Sequence, residues 1–234
     1  MRNQCRRLAA LIDAGLAAAR GPSHAGPPWF VLSTIRTGDR PLSYSPVRSV
    51  FSPGERLAQT LETIASIRVR CAPAPIVVLD ASNPGSRAIA ELQQAGATAV
   101  ALPTGSAVGR AVASPHKGLG EAMLLLTAMA SHAASDGLWK ISGRYTLIDT
   151  PSPAAPSRFA GRWRGDDLST VCFGVPADLV EPLRDDLLAS LPRLAAGASI
   201  EAVLSGIVRS RGLATDPSPP VTGLVAVDGT RFAT

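Results

Sequence analysis

Short apolar runs alternate with amphipathic segments along this chain, a pattern that predicts an α/β fold. Residues 29–37 (WFVLSTIRT) are rich in β-branched and aromatic side chains, which predicts a first core strand. Ser52, Pro53 and Glu55 supply a helix cap, a first-turn proline and an acid, and they predict a helix that continues to residue 70. The uninterrupted apolar run at 75–80 (PIVVLD) is typical of a parallel strand buried on both faces.

The rest of the chain continues this alternation. The buried face of the first helix is predicted to consist of Leu57, Leu61, Ile64 and Ile67. Further helices are predicted over 88–95, 122–134, 176–191 and 199–211, and further strands over 98–102, 138–142, 168–175 and 221–227. Loops are expected at 149–157, which is proline-rich and expected to be mobile, and at 215–220, whereas 103–113 fits either a loop over a ligand or a short helix. This order predicts a Rossmann-type three-layer sandwich with a mostly parallel central sheet.

The length of 234 residues suits a single α/β domain over 29–234, preceded by a basic amphipathic helix and linker over 1–28. A signal peptide is an alternative for this N-terminal segment, although Asp13 interrupts its apolar stretch. Contact with a membrane surface is another alternative. Because the chain contains no apolar run of about 18 residues or more, we expect a soluble cytoplasmic protein, with peripheral membrane contact as the open question.

Composition narrows the classes of partner and the redox state. A net charge of +5 favours anionic partners without choosing between a nucleotide, a nucleic acid and a lipid head group. Aromatic residues make up only 4% of the chain, and no basic patch is interleaved with Phe or Tyr, so we predict no nucleic-acid partner. Cys5, Cys71 and Cys172 are widely spaced, and we interpret them as reduced thiols. A Cys71–Cys172 disulfide is the alternative, which a cytoplasmic location would make rare.

Three cations in the middle of the chain are candidate ligands of an anion. Lys117 lies at the start of an apolar helix, Lys140 interrupts an apolar strand, and Arg144 follows that strand. Because open α/β sheets bind ligands at the C-terminal ends of their strands, we expect these cations to share one crevice. The structural alternative is that they only form ion pairs, with Glu121 and Asp136 as partners.

Polar residues at the ends of the first two predicted strands are candidates for nucleotide binding. They are Thr34, Arg36, Asp80 and Ser82. An acid at the position of Asp80 can accept hydrogen bonds from a ribose or a base edge. The alternative is that Asp80 or Asn83 only caps the helix that follows.

Two segments, 115–121 (PHKGLGE) and 139–145 (WKISGRY), resemble segments of GT-A glycosyltransferases, within the nucleotide-diphospho-sugar transferase superfamily. The closer similarity is to bacterial polysaccharide-biosynthesis transferases, and it covers about residues 29–208. The resemblance implies a GT-A-like fold and a hexosyltransferase-type enzyme. It also implies a nucleotide-sugar donor and a polysaccharide, lipid-linked or other carbohydrate acceptor.

The chain departs from the family at the metal site. GT-A enzymes commonly carry Asp-x-Asp after the strand that corresponds to 138–142, and this chain has Ser-Gly-Arg there. Mg²⁺ or Mn²⁺ is therefore not a certain cofactor, because these cations need oxygen ligands. We expect Lys117, Lys140 and Arg144 to neutralise the donor diphosphate instead. Asp166 and Asp167 are a fallback metal pair, with a solvated turn as their alternative.

An inverting transfer also needs a base that deprotonates the acceptor hydroxyl. Glu201, Glu121, His116 and Asp149 are the candidates, with Glu201 preferred because an acid late in the chain can reach the acceptor side. Both glutamates are equally explained by the preference of acids for helix N-termini, and His116 by ordinary hydrogen bonding. The alternative function is a non-catalytic nucleotide- or phosphate-binding module of the same fold.

Overall fold

The computed structural model describes residues 26–131, 137–148 and 153–233. The strands are β1 (Trp29–Ser33), β2 (Ile76–Asp80), β3 (Thr98–Ala101), β4 (Leu138–Ser142), β5 (Tyr145–Leu147), β6 (Phe159–Ala160), β7 (Trp163–Arg164), β8 (Asp167–Leu168), β9 (Cys172–Val175), β10 (Thr215–Asp216), β11 (Val221–Leu224) and β12 (Arg231–Ala233). The helices are α1 (Pro53–Cys71), α2 (Ser86–Gln94), α3 (Ala107–Val112), α4 (Lys117–Ser131), α5 (Ala177–Ala189), α6 (Leu191–Ala195) and α7 (Ile200–Ser210). The predicted N-terminal helix, Cys5, Asp136 and Asp149 lie outside the described residues, as do the first four residues of the expected 149–157 loop.

A seven-stranded sheet with the order β10-β6-β9-β4-β1-β2-β3 forms the centre of the molecule. Strands β1 to β4 are parallel to their neighbours in this group, and β9 is antiparallel to both β4 and β6. The prediction of an α/β fold with a mostly parallel sheet is confirmed. The chain leaves β1 toward β2 on one side and returns through β4 on the other, so the strand order reverses between β1 and β4.

Helices cover both faces of this sheet because its central strands are apolar on both faces. In β1, Phe30 and Leu32 point into a core that contains residues of α4, α5 and α7. Trp29 and Val31 alternate with them and enter a second core, built with α1 and α2. The sheet is therefore the middle of three layers, as the uninterrupted apolar runs predicted.

The first helix begins as predicted and buries Ile64 and Ile67 as predicted, but its N-terminal half buries a different face. Ser52 and Glu55 form the full capping box, with the Ser52 backbone N–H donating to the Glu55 carboxylate at 2.7 Å. Leu57 and Leu61 are only partly buried, whereas Arg56 and Thr60 are buried. The N-terminal half of α1 therefore directs polar side chains toward the C-terminal ends of β1 and β4.

The predicted strand over 168–175 is two strands, and that correction shapes the site. The Leu168 backbone N–H donates to the Ser205 hydroxyl at 2.6 Å, and that of Ser169 donates to the carbonyl of Arg162 at 2.7 Å. These bonds end β8 and turn the chain, so that Thr170 and Val171 line a cavity before β9 begins.

Two other corrections concern strands near the C terminus, and the structure also decides between a loop and a short helix for residues 103–113. The predicted 221–227 strand ends at Leu224 and continues through a turn into β12, and the expected 215–220 loop contains β10. The 103–113 segment contains α3, whose cap is Ser106. Cys71 and Cys172 are both buried, and burial raises the pKa of the free Cys172 thiol to about 12. No helix among the described residues is long and apolar enough to cross a membrane.

Close packing between β9 and β4 makes Gly174 intolerant of a side chain. A Cβ atom at Gly174 would lie 2.7 Å from the Trp139 ring, which is stacked on Trp29 with ring centroids 5.5 Å apart. We expect Gly174→Ala to lower the free energy of unfolding by about 1–3 kcal/mol, because the ring cannot move away without disturbing its partner. Urea denaturation measures this change.

Gly206→Ala is the matched control. A Cβ atom at Gly206 meets nothing within 4 Å on the outer face of α7. The substitution is expected to stabilise the protein by about 0.5–1 kcal/mol, since alanine favours the helix. Equal effects of the two substitutions would contradict the packing explanation.

Candidate functional site

A cavity of about 290 Å³ opens where β1 and β4 end, at the point where the strand order reverses. The ends of these strands form its base through Leu32, Thr34 and Ser142. The remaining polar and charged lining is supplied by Thr37, Arg48, Arg56, Lys117, Glu121, Arg144, Tyr145, Arg164, Ser169, Thr170 and Glu201. Five cations and two carboxylates thus line the cavity, which favours an anionic ligand.

The helix α4 enters this site very close to its neighbour α3. A Cβ atom at Gly120 would lie 2.8 Å from the Cα atom of Val112, so glycine at this position permits the contact. The approach brings Lys117 and Glu121, one turn apart on α4, to the cavity wall. The glycines of the 115–121 segment therefore have a packing role.

Lys140 is fully buried behind the cavity and does not line it. Its ammonium donates to the Glu121 carboxylate at 2.6 Å, to the Ser142 hydroxyl at 2.9 Å and to the backbone carbonyl of Thr170. An ammonium has three donors, and these partners account for all of them. We therefore reassign Lys140 from diphosphate ligand to the anchor of an internal ion pair, the alternative that the sequence left open.

Glu121 is the anionic half of this pair. Burial alone would raise the pKa of its carboxyl group, but Lys140, Lys117 and Arg144 outweigh that effect and lower the pKa below its usual range. The side chain is only 14% exposed and is held by Lys140. A carboxylate that is stabilised in its charged form and already paired is a poor proton acceptor, so Glu121 is a weak candidate for a general base.

None of the five cations that line the cavity has a carboxylate partner within the described part of the chain, and Arg56, Lys117 and Arg144 are three of them. Arg56 is only 4% exposed and donates to the carbonyl of Thr34 and, at 3.2 Å, to the hydroxyl of Ser49. Burial and the neighbouring Arg144 lower the pKa of Arg56 to about 9, which leaves it charged at neutral pH. A buried cation without a counter-ion is costly, and an anionic ligand would relieve this cost.

Lys117 reaches the same space from the start of α4. The residue is exposed to solvent, although partial desolvation by the cavity wall lowers the pKa of its ammonium. Glu121 and Glu201 raise the pKa in opposition, and neither forms an ion pair with Lys117. Lys117 is thus a cation held ready for a ligand.

The predicted base candidates separate in the structure. Glu201 lines the cavity near the start of α7, and its carboxylate accepts a hydrogen bond from the Thr170 hydroxyl at 2.9 Å. His116 does not line the cavity, and its ring lies against Gly197, with Nδ1 buried and without a hydrogen-bond partner in the described chain. Of the described candidates, Glu201 is the acid that faces the cavity without a cationic partner.

Most of the predicted nucleotide-binding residues are occupied by local structure. The Asp80 carboxylate is buried and accepts hydrogen bonds from the Ile35 backbone at 2.8 Å and from the Ser82 backbone at 2.7 Å. Burial raises the pKa of Asp80, although these hydrogen bonds oppose the shift. The Ser82 hydroxyl also accepts from the Arg36 backbone at 2.9 Å. Only Thr34 of the four predicted residues lines the cavity. Neither Asp80 nor Asn83 caps the following helix, because the residue at the N-cap of α2 is Gly85.

The residues present do not fit a divalent cation. Directly after β4, where the Asp-x-Asp pattern would place acids, the Ser142 hydroxyl already accepts from the Lys140 ammonium, and Arg144 adds a further positive charge. Asp166 and Asp167 lie on the β7–β8 hairpin outside the cavity lining, and Asp166 pairs with Arg209 at 3.0 Å. Across 26–131, 137–148 and 153–233, no group of three or more His, Cys, Asp or Glu residues is placed to hold a metal.

Sequence reasoning missed Arg48, Arg56 and Arg164 as cavity residues. For Arg56 a signal was present, because Arg56, Thr60 and Thr63 recur at helical spacing on one face of α1 and are all buried. Arg48 has no such signal: it donates to the carbonyls of Val112 at 2.8 Å and Arg40 at 3.0 Å, and so ties the 38–51 loop to α3.

The assembled cavity can hold a charged phosphate group and place one carboxylate beside it. Cations from α1, α4 and the β4–β5 turn line the space, and Glu201, near the start of α7, lines it with no cationic partner among the described residues. Such groups can stabilise charge that develops on a leaving phosphate and can accept a proton from a hydroxyl. No protein-family model matches this chain, and a comparison with curated protein sequences finds no relative.

Proposed function

We propose that this protein is a glycosyltransferase that takes a sugar from a nucleotide-sugar donor and transfers it to a carbohydrate hydroxyl. The observation that carries the proposal is the group of cations, Arg56, Lys117 and Arg144 among them, that lines the cavity where the strand order reverses and has no carboxylate partner among the described residues. Ligands of open α/β sheets bind at this place. The similarity of the 115–121 and 139–145 segments to GT-A enzymes supports the same proposal.

In this proposal the cations neutralise the donor diphosphate. Arg144 can bind a phosphate through two parallel N–H bonds, whereas Lys117 acts as a point charge. As the bond between the anomeric carbon and the diphosphate oxygen breaks, the electron pair stays with the diphosphate. Fixed cations that are in place before the reaction stabilise this developing charge without reorganisation.

Glu201 is the proposed general base. Its carboxylate accepts the acceptor hydroxyl proton while the acceptor oxygen forms the new bond to the anomeric carbon, which inverts the configuration. The Thr170 hydroxyl donates to one carboxylate oxygen and orients the group, and the other oxygen remains for the substrate. The Thr170 carbonyl in turn accepts from Lys140, so the internal ion pair positions the base.

Arg144→Ala is expected to weaken nucleotide binding by about 10- to 100-fold, because it removes charge-assisted hydrogen bonds to phosphate. The experiment first screens the purified protein against UDP, GDP, CMP and dTDP by thermal shift, with Mn²⁺ or with EDTA. The best ligand is then titrated by calorimetry into the wild type and the variant. EDTA is expected to leave the affinity unchanged.

Arg193→Ala is the matched control, since Arg193 is exposed on α6 and does not line the cavity. Equal losses in both variants, or no binding by the wild type, would contradict the proposal. The second candidate function, a non-catalytic nucleotide-binding module, is favoured if the wild type binds a nucleotide through Arg144 but releases no sugar from any sugar nucleotide of that base.

A further inference from the structure

Part of the cavity lining is a row of two aromatic side chains flanked by two arginines, which the proposed donor site does not use in full. Arg144 lies over Tyr145 at 5.8 Å from its ring centroid, Tyr145 meets Phe232 edge to face at 5.3 Å, and Arg164 lies over Phe232 at 3.8 Å. All four line the cavity. The row begins at the proposed diphosphate site and ends at Arg164.

Arg164 has no carboxylate partner within 4.0 Å among the described residues, although acids pair with several other arginines of the chain. The guanidinium carbon of Arg164 lies 3.8 Å from the Phe232 ring centroid, a cation–π contact that limits the positions open to this group. A guanidinium that lies over a ring keeps N–H groups free at the edge of its plane, which suits bidentate binding of a carboxylate or phosphate. Arg164 therefore presents an unused anion-binding edge to the cavity.

Arg164 lies in the part of the fold that also holds Glu201, the proposed base on the acceptor side of the reaction. It lies on the β7–β8 hairpin, which is joined to α7 by the bond between Leu168 and Ser205. The segment directly after this hairpin contains Thr170, whose hydroxyl holds Glu201. Arg164 and the proposed base thus belong to one packed unit, whereas Arg56 and Lys117 are held by α1 and α4.

We infer that the Arg164 edge and the Phe232 and Tyr145 rings form a subsite for an acidic sugar of the acceptor. The assignment of this sugar to the acceptor rests on the proposed function, whereas the anion-binding subsite rests on the geometry of Arg164 alone. A donor diphosphate already satisfies Arg56, Lys117 and Arg144, so a further cation at the far end of the row matches a second anionic group. That group is a sugar carboxylate or a sugar phosphate, and the aromatic rings provide an apolar surface for the ring that carries it.

The test measures binding of glucose, glucuronate and glucose 6-phosphate to the full chain by ligand-observed NMR titration. At least one acidic sugar is expected to bind at least about tenfold more tightly than glucose, because a charge-assisted bidentate contact is added. In Arg164→Gln this preference is expected to fall to near one, while nucleotide affinity stays unchanged. The stronger of the two acidic probes identifies the carboxylate or the phosphate as the preferred group.

Two further variants keep the outcome decisive. Arg164→Lys retains the charge but not the planar edge, and an intermediate preference is expected. Arg193→Gln, at an exposed position outside the cavity, is expected to behave as wild type. Equal binding of acidic and neutral sugars by the wild type, or a preference that survives Arg164→Gln, overturns the inference. Failure of the proposed function looks different: no nucleotide binds, yet the preference for an acidic sugar still depends on Arg164.

Discussion

Replacing Lys140 with methionine is expected to lower the free energy of unfolding by about 3–5 kcal/mol. Methionine fills a similar volume but leaves the buried Glu121 carboxylate without its cation, and it also removes the donor to the Thr170 carbonyl. The lost ion pair and the unpaired acceptor both penalise the folded state. Urea denaturation at neutral pH, followed by circular dichroism, measures the change.

The double variant Lys140→Met/Glu121→Leu tests the cause of this loss. Removing both charges leaves no buried ion unpaired, so most of the lost stability is expected to return. The pH dependence gives an independent check: the folded state holds the pKa of Glu121 below its ordinary value of 4.5. The ion pair therefore stabilises the wild type above that value, and this contribution disappears as the pH falls through the lower folded pKa. A single variant as stable as wild type would restore Lys140 as a candidate ligand of the diphosphate.

Glu201→Gln is expected to lower kcat by about 10²–10⁴-fold, the usual contribution of a general base. Glutamine keeps the shape of the side chain and can still accept the Thr170 hydrogen bond, but it cannot take a proton from the acceptor. Affinity for the donor nucleotide is expected to remain within about twofold, because Glu201 is not among the proposed phosphate ligands. Steady-state kinetics of nucleotide release measures the first quantity, and calorimetry the second.

Glu181→Gln provides the control, as Glu181 is a largely exposed glutamate on α5 outside the cavity lining. It is expected to leave kcat unchanged. If Glu201→Gln also leaves kcat unchanged, the base is another group. If Glu201→Gln abolishes nucleotide binding, then Glu201 supports the site structurally and the assignment as a base fails.

Sequence signals predicted helices and strands correctly where interactions between residues close in sequence determine them. The start of α1 follows from Ser52 and Glu55, whose side chains and backbones bond within one turn. The buried strands β1 and β2 follow from apolar runs, because both sheet faces are covered. Local signals failed for the 168–175 strand, since the bond from Leu168 to Ser205 that ends β8 spans 37 residues.

In the candidate site, too, the sequence predicted some features and only the tertiary structure established others. The sequence predicted that Lys117, Lys140 and Arg144 share one crevice, because ligands bind at the C-terminal ends of the strands in open α/β sheets, and Lys117 and Arg144 do line the cavity. Glu201, predicted separately as an acid late in the chain, lines it as well. Sequence reasoning also noted that a lysine within an apolar strand needs an anionic partner. Only the tertiary structure decided that this partner is Glu121, 19 residues earlier, rather than a bound diphosphate. The physical reason is that α4 packs across the central strands β1 and β2 beside β4, and a buried ammonium binds the nearest acceptors that packing provides.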